Sequence, residues 1–165
     1  MPTNNGTVAE RDRVIFTFLL GTGIRLGSLV GTHVGDLHLN EGYVDVRAKG
    51  GVKQQVCLGS RLRRLLKSYI GRAQLRHEDP LFPSRNSGPL SARQVQLRFK
   101  YWLERAGIKR HLTVHSLRHT FAMNLYRRTR DLRLVQTALG HKRITTTEIY
   151  ARTDDRMLKR ALEKV

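Results

Sequence analysis

Residues 115–122 read His-Ser-Leu-Arg-His-Thr-Phe-Ala, and this stretch combines a core-forming helix with a pair of basic side chains. A spacing of three places the imidazole of His115 and the guanidinium of Arg118 on the same helix face. The other side carries apolar residues at a spacing of four, namely Leu117, Phe121 and Leu125. The stretch therefore predicts a helix that packs on one side and can hold a phosphate on the other, near its positive N-terminus. A capping histidine beside a surface arginine explains the same residues.

A metal site is a third interpretation of this stretch. His115 and His119 lie four residues apart, as two ligands of a zinc site do. Arg118 lies between them and would repel a cation, and position 116 is serine where such a site has a glutamate base. We therefore expect neither a metal ion nor another cofactor.

The chain around this stretch reads as mostly helical. On its C-terminal side we expect four short helices, with Gly140 as a stop, at about 115–129, 131–139, 144–150 and 154–163. On its N-terminal side, Thr7 and Glu10 fit a capping box that opens a helix ending near Gly21-Thr22-Gly23. A second helix is expected from near Arg25 to about His33.

Short β-prone segments follow this second helix. Asp36–Leu39 is a weak strand, whereas Tyr43–Val46 and Val52–Leu58 are stronger and are joined by a turn at Lys49-Gly50-Gly51. Two further helices show apolar stripes at helical spacing, and we expect Ser60 to cap one and Ser91 to open the other. The predicted fold class is therefore α+β, a mostly helical domain with a small three-stranded antiparallel sheet.

Charge narrows the class of partner. The chain has 165 residues, 39% of them hydrophobic, with 31 Lys and Arg against 13 Asp and Glu, a net charge of +18. Such an excess favours a polyanion, nucleic acid ahead of an anionic membrane. The apolar run Val14–Leu20 is far shorter than the roughly 20 residues of a membrane span, and no leader precedes it. The lone Cys57 fits a reducing cytosol. Charge by itself leaves a passive binder and an enzyme equally open.

Outside the opening stretch, four further side chains could take part in chemistry. Arg25 follows a tight turn, Lys49 lies at a turn tip with Lys53 as a competitor, and His141 precedes Tyr150 by nine residues. Each has an ordinary explanation as an exposed charge or a packed ring. Together with His115 and Arg118 they suit a metal-free attack on a phosphodiester. Arginines hold the phosphate, a tyrosine attacks it, and the lysine and histidines move protons.

The order Arg, Lys, His-x-x-Arg, Gly-His, Tyr resembles the tyrosine recombinases, the family of the phage integrases and Xer-type enzymes. The resemblance runs from about Arg11 to Tyr150 and rests on six motifs. They are Arg11-Asp-Arg, Thr22-Gly-Ile-Arg25, Lys49-Gly-Gly, His115-Ser-Leu-Arg-His-Thr-Phe-Ala122, Leu139-Gly-His141 and Thr145-Thr-Thr-Glu-Ile-Tyr150. It implies the DNA breaking-rejoining fold and a site-specific DNA recombinase.

The resemblance also implies a role for each site residue. Tyr150 would attack the scissile phosphate and form a 3′-phosphotyrosyl link. Arg25 and Arg118 would neutralise the non-bridging oxygens. Lys49, with Lys53 as the fallback, would protonate the leaving 5′-oxygen. His115 would act as the general acid/base, and His141 would donate a hydrogen bond to the phosphate.

Partners and location follow from the same resemblance. We expect double-stranded DNA and a homotetramer on synapsed DNA, assembled through the C-terminal segment Asp154–Val165, and no membrane. Packing of that segment on its own domain stays open. A bacterial or phage-encoded protein in the cytoplasm, associated with the nucleoid, is expected.

Three departures from the family pattern stand out. Ser28 occupies a position where many relatives have an acidic residue, and Cys57 one where many have proline. The chain is also short, which suggests a flexible start at 1–6 and a catalytic domain at 7–165 with the N-terminal core-binding domain absent. A catalytically inactive DNA-binding relative, a type IB topoisomerase and a passive basic scaffold are the alternatives.

Overall fold

Helices carry most of the chain, and one three-stranded sheet follows the second helix. The computed structural model describes residues 5–48, 50–140 and 158–163. Its named elements are α1 (Asn5–Thr22), α2 (Leu26–Val30), a 3₁₀ turn (Val34–Asp36), β1 (Leu37–His38), β2 (Tyr43–Arg47), β3 (Lys53–Cys57), α3 (Ser60–Ala73), α4 (Ala92–Arg105), α5 (Val114–Thr129) and α6 (Leu132–Ala138). The α+β class with a small antiparallel sheet is confirmed.

Helix α1 forms the centre of the main core. Its fully buried residues recur one and four positions apart, as one face of a helix requires. They are Val14, Ile15, Phe18 and Leu19. The predicted end near Gly21–Gly23 is confirmed, because α1 stops at Thr22. The predicted capping box is wrong, since the helix already begins at Asn5 and Thr7 lies inside it.

The second helix is shorter than its sequence suggests. It ends at Val30, where the prediction extended it to about His33. The reason is a long-range pairing: the N–H groups of Val34 and Gly35 donate to the carbonyls of Asp79 and His77, at 3.0 and 2.8 Å. Those donors cannot also continue a helical ladder.

The sheet is antiparallel throughout, in the order β1-β2-β3. Val44 pairs with Val56 across β2 and β3, and both side chains are buried. The alternate residues Tyr43 and Asp45 are half-buried, so β2 shows the two-residue alternation of a strand with one face on the core. The three predicted strands are confirmed with small shifts at their ends.

Helix α3 begins differently from its prediction. Ser60 is its first residue and Gly59 is the cap, so Ser60 does not cap the helix with its own side chain. The carboxylate of Glu163 accepts the Ser60 N–H at 2.8 Å and also the Ser60 hydroxyl. A residue 103 positions away thus satisfies one of the exposed donors of the helix N-terminus.

The remaining helices follow the sequence pattern closely. Ser91 caps α4 by accepting from the Gln94 N–H at 3.1 Å, as predicted. Phe121 and Leu125 of α5 are buried and Leu117 is partly buried against the core. The expected helix at 144–150 lies outside the described residues.

Two hydrophobic clusters form the interior of the described part of the chain. The larger one joins α1, the sheet, α3 and α4. The second one brings a C-terminal helix, residues 158–163, against α5 and α6. Leu158 and Leu162 are both 6% exposed in this cluster, and Lys159 Nζ donates to the Glu41 carbonyl at 2.9 Å. Residues 158–163 therefore pack on their own domain in this structure.

Candidate active site

Arg118 lies where three segments of the chain meet. From the second turn of α5, its Nη1 donates to the Gly23 carbonyl and its Nη2 donates to the Leu139 carbonyl at 2.8 Å. The guanidinium thereby joins the α1–α2 connection, α5 and the end of α6. A guanidinium has five N–H groups, and these contacts use two of them. The others can donate to a ligand.

The α1–α2 connection is pressed closely against α5. Gly23 has a φ of +66°, and a Cβ built at this position would lie 2.2 Å from a ring carbon of Phe121. A side chain here would be strained and would also displace the phenyl ring. The close approach is what brings the Gly23 carbonyl within reach of Arg118, and it sets the position of the residue that follows two places later, Arg25.

Arg25 and Arg118 form a pair of like charges. Arg25 is the N-cap of α2 and its side chain is exposed. Burial lowers the pKa of the Arg118 guanidinium, and the positive charge of Arg25 lowers it further. An arginine stays protonated in water at neutral pH even so. Two such charges held close together stabilise a bound anion, because the anion offsets their mutual repulsion.

His115 opens onto the same groove as the two arginines. The groove has a volume of about 1210 Å³, beyond the roughly 300–1,000 Å³ of most small-molecule pockets. Among the residues that the structure describes, its lining has one acidic side chain, Glu104, against six Lys and Arg side chains. The basic residues come from α2, α4, α5 and the loop before α5: Arg25, Arg93, Lys100, Lys109, Arg110 and Arg118. The size and charge of the groove suit a polyanionic polymer.

A narrow cleft lies next to this groove, between the arginine pair and the β2–β3 hairpin. Arg25 and Arg118 line it together with Ser28 and Gln54. The Ser28 hydroxyl donates to the Arg47 carbonyl at 2.9 Å. The β2–β3 hairpin is thus seated against the arginine pair.

The structure brings together three of the six residues that the sequence singled out. Arg25, His115 and Arg118 line one groove, as the spacing of His115 and Arg118 predicts. Lys49, His141 and Tyr150 lie outside the described residues. The fallback, Lys53, is exposed at the start of β3.

The groove is also lined by residues that belong to none of the sequence motifs. Arg93, Gln96 and Lys100 follow one another at spacings of three and four on α4 and all line the groove. That periodicity of polar side chains along one side of α4 is the signal that could have revealed them. In the described part of the chain, no group of three or more His, Cys, Asp or Glu is placed to hold a metal ion.

The chain matches the family model described as "Phage integrase family" over residues 2–157. Among curated proteins it is similar to the tyrosine recombinase XerC of Xylella fastidiosa (strain 9a5c), with 38% identity over 153 residues. That match covers 93% of this chain and 52% of the relative. The XerC of Neisseria gonorrhoeae is 36% identical over 156 residues, with 93% and 51% covered. The chain thus spans about half the length of these relatives.

Solved structures with this fold include integrases and Xer recombinases. An integrase from mycobacterium phage Brujita superposes with a TM-score of 0.75 at 25% identity, covering 99% of this chain and 57% of that one. A XerH recombinase bound to palindromic difH substrate, in a post-cleavage complex, gives 0.72 at 28% identity, with 98% and 47% covered. A lambda integrase tetramer bound to a Holliday junction shares the fold at a TM-score of 0.65 and 23% identity, with 84% and 43% covered. None of the helices in the described part has both the length and the hydropathy of a membrane span.

Proposed function

Since this chain belongs to the phage integrase family, we propose that residues 7–165 are the catalytic domain of a site-specific DNA recombinase. It cuts and rejoins DNA strands through a 3′-phosphotyrosyl intermediate and needs no metal ion. The observation that carries the proposal is the convergence of Arg25, His115 and Arg118 on one basic groove. A phosphodiester bound there meets two guanidiniums and an imidazole at once.

The arginine pair supplies the electrostatic part of the reaction. Attack on a phosphodiester gathers negative charge on the two non-bridging oxygens, and donors fixed in advance stabilise that charge in the transition state. Arg118 is fixed by the Gly23 and Leu139 carbonyls. Arg25, at the exposed start of α2, provides the second cation.

The covalent steps balance without a co-reactant. The phenol oxygen of Tyr150 bonds to phosphorus and gives up its proton to a base, for which we propose His115. The bond from phosphorus to the 5′-oxygen breaks, and that oxygen takes a proton from Lys49. His141 donates a hydrogen bond to the phosphate. Attack by another 5′-hydroxyl reverses these steps, so the phosphotyrosyl link conserves the bond energy and religation requires no ATP.

Double-stranded DNA is the proposed partner. A groove of about 1210 Å³ with six basic lining residues can follow a stretch of phosphate backbone. The XerH relative was solved on its difH substrate. We propose that this chain binds a DNA site of its own, and that the bacterial or phage-encoded protein works in the cytoplasm at the nucleoid.

We further propose that four copies assemble on synapsed DNA through the C-terminal segment. Residues 158–163 occupy a groove on their own domain between β3, α5 and α6, so the same apolar contacts can be made by the segment of a neighbouring copy. A lambda integrase of this fold was solved as a tetramer on a Holliday junction. Mass photometry on DNA with two sites would show four copies, and two copies at saturation would contradict the assembly.

A covalent-trapping assay tests the central proposal. The protein is incubated with nicked suicide duplexes, and denaturing gels with mass spectrometry then identify any peptide–DNA adduct. We expect an adduct through a 3′-phosphate on Tyr150, and none for Tyr150→Phe despite equal DNA binding. Binding without any adduct, when a full-length relative gives one on its own site, would favour the inactive DNA-binding alternative.

A further inference from the structure

The β2–β3 hairpin is attached to the site at its base. Ser28 lies in α2, three residues after Arg25, and its hydroxyl donates to the carbonyl of Arg47 at 2.9 Å. Arg47 is the last residue of β2 and stands two positions before Lys49. This hydrogen bond therefore joins the helix that begins at the first site arginine to the strand that leads into the turn.

The turn beyond this attachment is closed by backbone hydrogen bonds. The Ala48 N–H donates to the Val52 carbonyl at 2.8 Å, and the Gly51 N–H donates to the Ala48 carbonyl at 3.1 Å. Gly50 and Gly51 both have positive φ, at +86° and +76°. A turn closed in this way moves with the strand ends that bear it, so the position of Arg47 determines where the turn lies.

The second strand is held from another direction. Gln54 pairs with Val46 in the sheet, and its side-chain amide lies against Gly140. A Cβ built on Gly140 would be 2.2 Å from Gln54 Nε2. Ser28 and Gln54 line the narrow cleft that also contains Arg25 and Arg118. The base of the hairpin is thus seated between α2 and the end of α6, directly beside the arginine pair.

From these contacts we infer that Ser28 is a positioning residue for leaving-group protonation. By holding the Arg47 carbonyl it fixes the hairpin relative to the arginine pair, and so the ammonium of Lys49 relative to the 5′-oxygen. The inference rests on the proposed function, in which Lys49 supplies that proton. This role differs from that of a carboxylate that would support Arg25 at the same position. The hydrogen bond of Ser28 goes to the hairpin and not to a guanidinium.

A pair of DNA substrates separates this role from a general structural one. One carries the ordinary scissile phosphate, and the other has sulfur in place of the bridging 5′-oxygen. A thiolate leaves without being protonated, so a defect in proton donation disappears with sulfur and a defect in phosphate binding does not. Single-turnover cleavage is measured for wild type, Ser28→Ala and Ser28→Thr, with Lys49→Ala as the reference for lost proton donation.

We expect Ser28→Ala to slow cleavage of the oxygen substrate by roughly 3- to 10-fold, the loss of one hydrogen bond. It should cleave the sulfur substrate at the wild-type rate, and Ser28→Thr, which keeps the hydroxyl, should resemble wild type on both. Thr17→Ala is the matched control, since Thr17 also donates to a backbone carbonyl, that of Arg13 in α1, at 2.8 Å. Equal slowing of Ser28→Ala on both substrates would overturn the inference.

Failure of the inference and failure of the proposed function give different results. If sulfur rescues Lys49→Ala while Ser28→Ala is as fast as wild type with oxygen, only the inference is wrong. If sulfur does not rescue Lys49→Ala, the proposed role of Lys49 is wrong and the inference falls with it. Amide hydrogen exchange tests the inference in the absence of DNA. Ser28→Ala should speed exchange of the Ala48 and Gly51 N–H groups but not of those in α3. Unchanged exchange there would also overturn it.

Discussion

Arg118 differs from a surface arginine because its guanidinium is already fixed before a ligand arrives. Its contacts to the Gly23 and Leu139 carbonyls remove much of the side-chain freedom that an arginine otherwise loses on binding. The same planar fork can present its remaining N–H groups to a phosphate. The histidine-arginine stretch predicts the face on which this side chain lies, but not these contacts.

Replacing Arg118 by lysine should show how much the fork contributes. A single ammonium cannot donate to both carbonyls and still present a planar pair of donors, so Arg118→Lys should slow DNA cleavage by about 10²–10³, or roughly 2.7–4 kcal/mol of barrier. Single-turnover kinetics with saturating DNA measures this. Arg128→Lys, at an exposed position late in α5, is the control. A loss below about fivefold for Arg118→Lys would contradict the assignment.

Tyr69 gives the domain a specific sensitivity to alkali. The residue is 3% exposed, and burial raises the pKa of its hydroxyl well above the usual value near 10. The unfolded chain ionises this phenol at about pH 10 while the folded one keeps the proton. Its contribution to stability is therefore complete below about pH 10 and is lost as pH rises beyond it.

The phenylalanine variant isolates this contribution. Raising the pH from 9 to 11 should lower the unfolding free energy of Tyr69→Phe by about 1.4 kcal/mol less than that of wild type. The reason is that pH 11 lies one unit above the pKa of this phenol in the unfolded chain. Urea denaturation at a series of pH values measures the difference, and any offset at neutral pH cancels. Parallel pH profiles for Tyr69→Phe and wild type would contradict the prediction.

At the scale of elements, one buried carboxylate fixes α4 against α1. Asp12 is 0% exposed. It accepts from Arg98 Nε at 2.6 Å, from Trp102 Nε1 at 2.9 Å and from Arg11 Nη2 at 3.1 Å. Arg98 and Trp102 lie four residues apart on α4, so this one side chain sets the rotation of the helix about its axis. The opposite face of α4 contributes Arg93, Gln96 and Lys100 to the groove.

Removing this charge should be costly. Asp12→Asn leaves the two guanidiniums without their anion, and breaking a buried ion pair from one side typically costs 3–5 kcal/mol. Because Arg98 is 31% exposed, we expect about 3 kcal/mol from urea denaturation. Glu104→Gln removes an exposed carboxylate 3.8 Å from Lys100 and should cost less than about 0.5 kcal/mol. A similar small loss for Asp12→Asn would show that α4 is held by its apolar face alone.

Periodicity in the sequence predicts the elements well, and distant partners explain where it fails. Ser91 and Gln94 are close in the chain, so the start of α4 can be predicted. Ser60 looks like a helix cap by the same local rule, yet its partner is Glu163 in the C-terminal helix. Likewise α2 stops early because Val34 pairs with Asp79.

The candidate site shows the same limit. The local spacing of His115 and Arg118 predicts their shared face, and the resemblance to recombinases adds Arg25. The seating of the hairpin by Ser28 joins residues 19 positions apart. Such contacts form only when the whole chain has folded. No local pattern in the sequence therefore indicates which distant residues will meet.

At the scale of the whole molecule, the charge of +18 makes DNA binding depend on salt. If each of the six basic groove residues neutralises one phosphate, log Kd against log salt has a slope of about 5, at roughly 0.9 per phosphate. Arg93→Gln should lower the slope by about 0.9, measured by fluorescence anisotropy from 50 to 300 mM salt. Arg72→Gln, on α3 and paired with Glu10, should leave it unchanged. An unchanged slope for Arg93→Gln would contradict the placement of α4 at the DNA-binding face.

The packing of residues 158–163 has one practical consequence. Cys57 is the one cysteine of the chain, it is 5% exposed, and it belongs to the same cluster as Leu158 and Leu162. A thiol-directed dye reaches it only when this cluster opens. The rate at which Cys57 is labelled therefore reports how often the C-terminal helix leaves this cluster. It can be measured with and without DNA, and no engineered probe is needed.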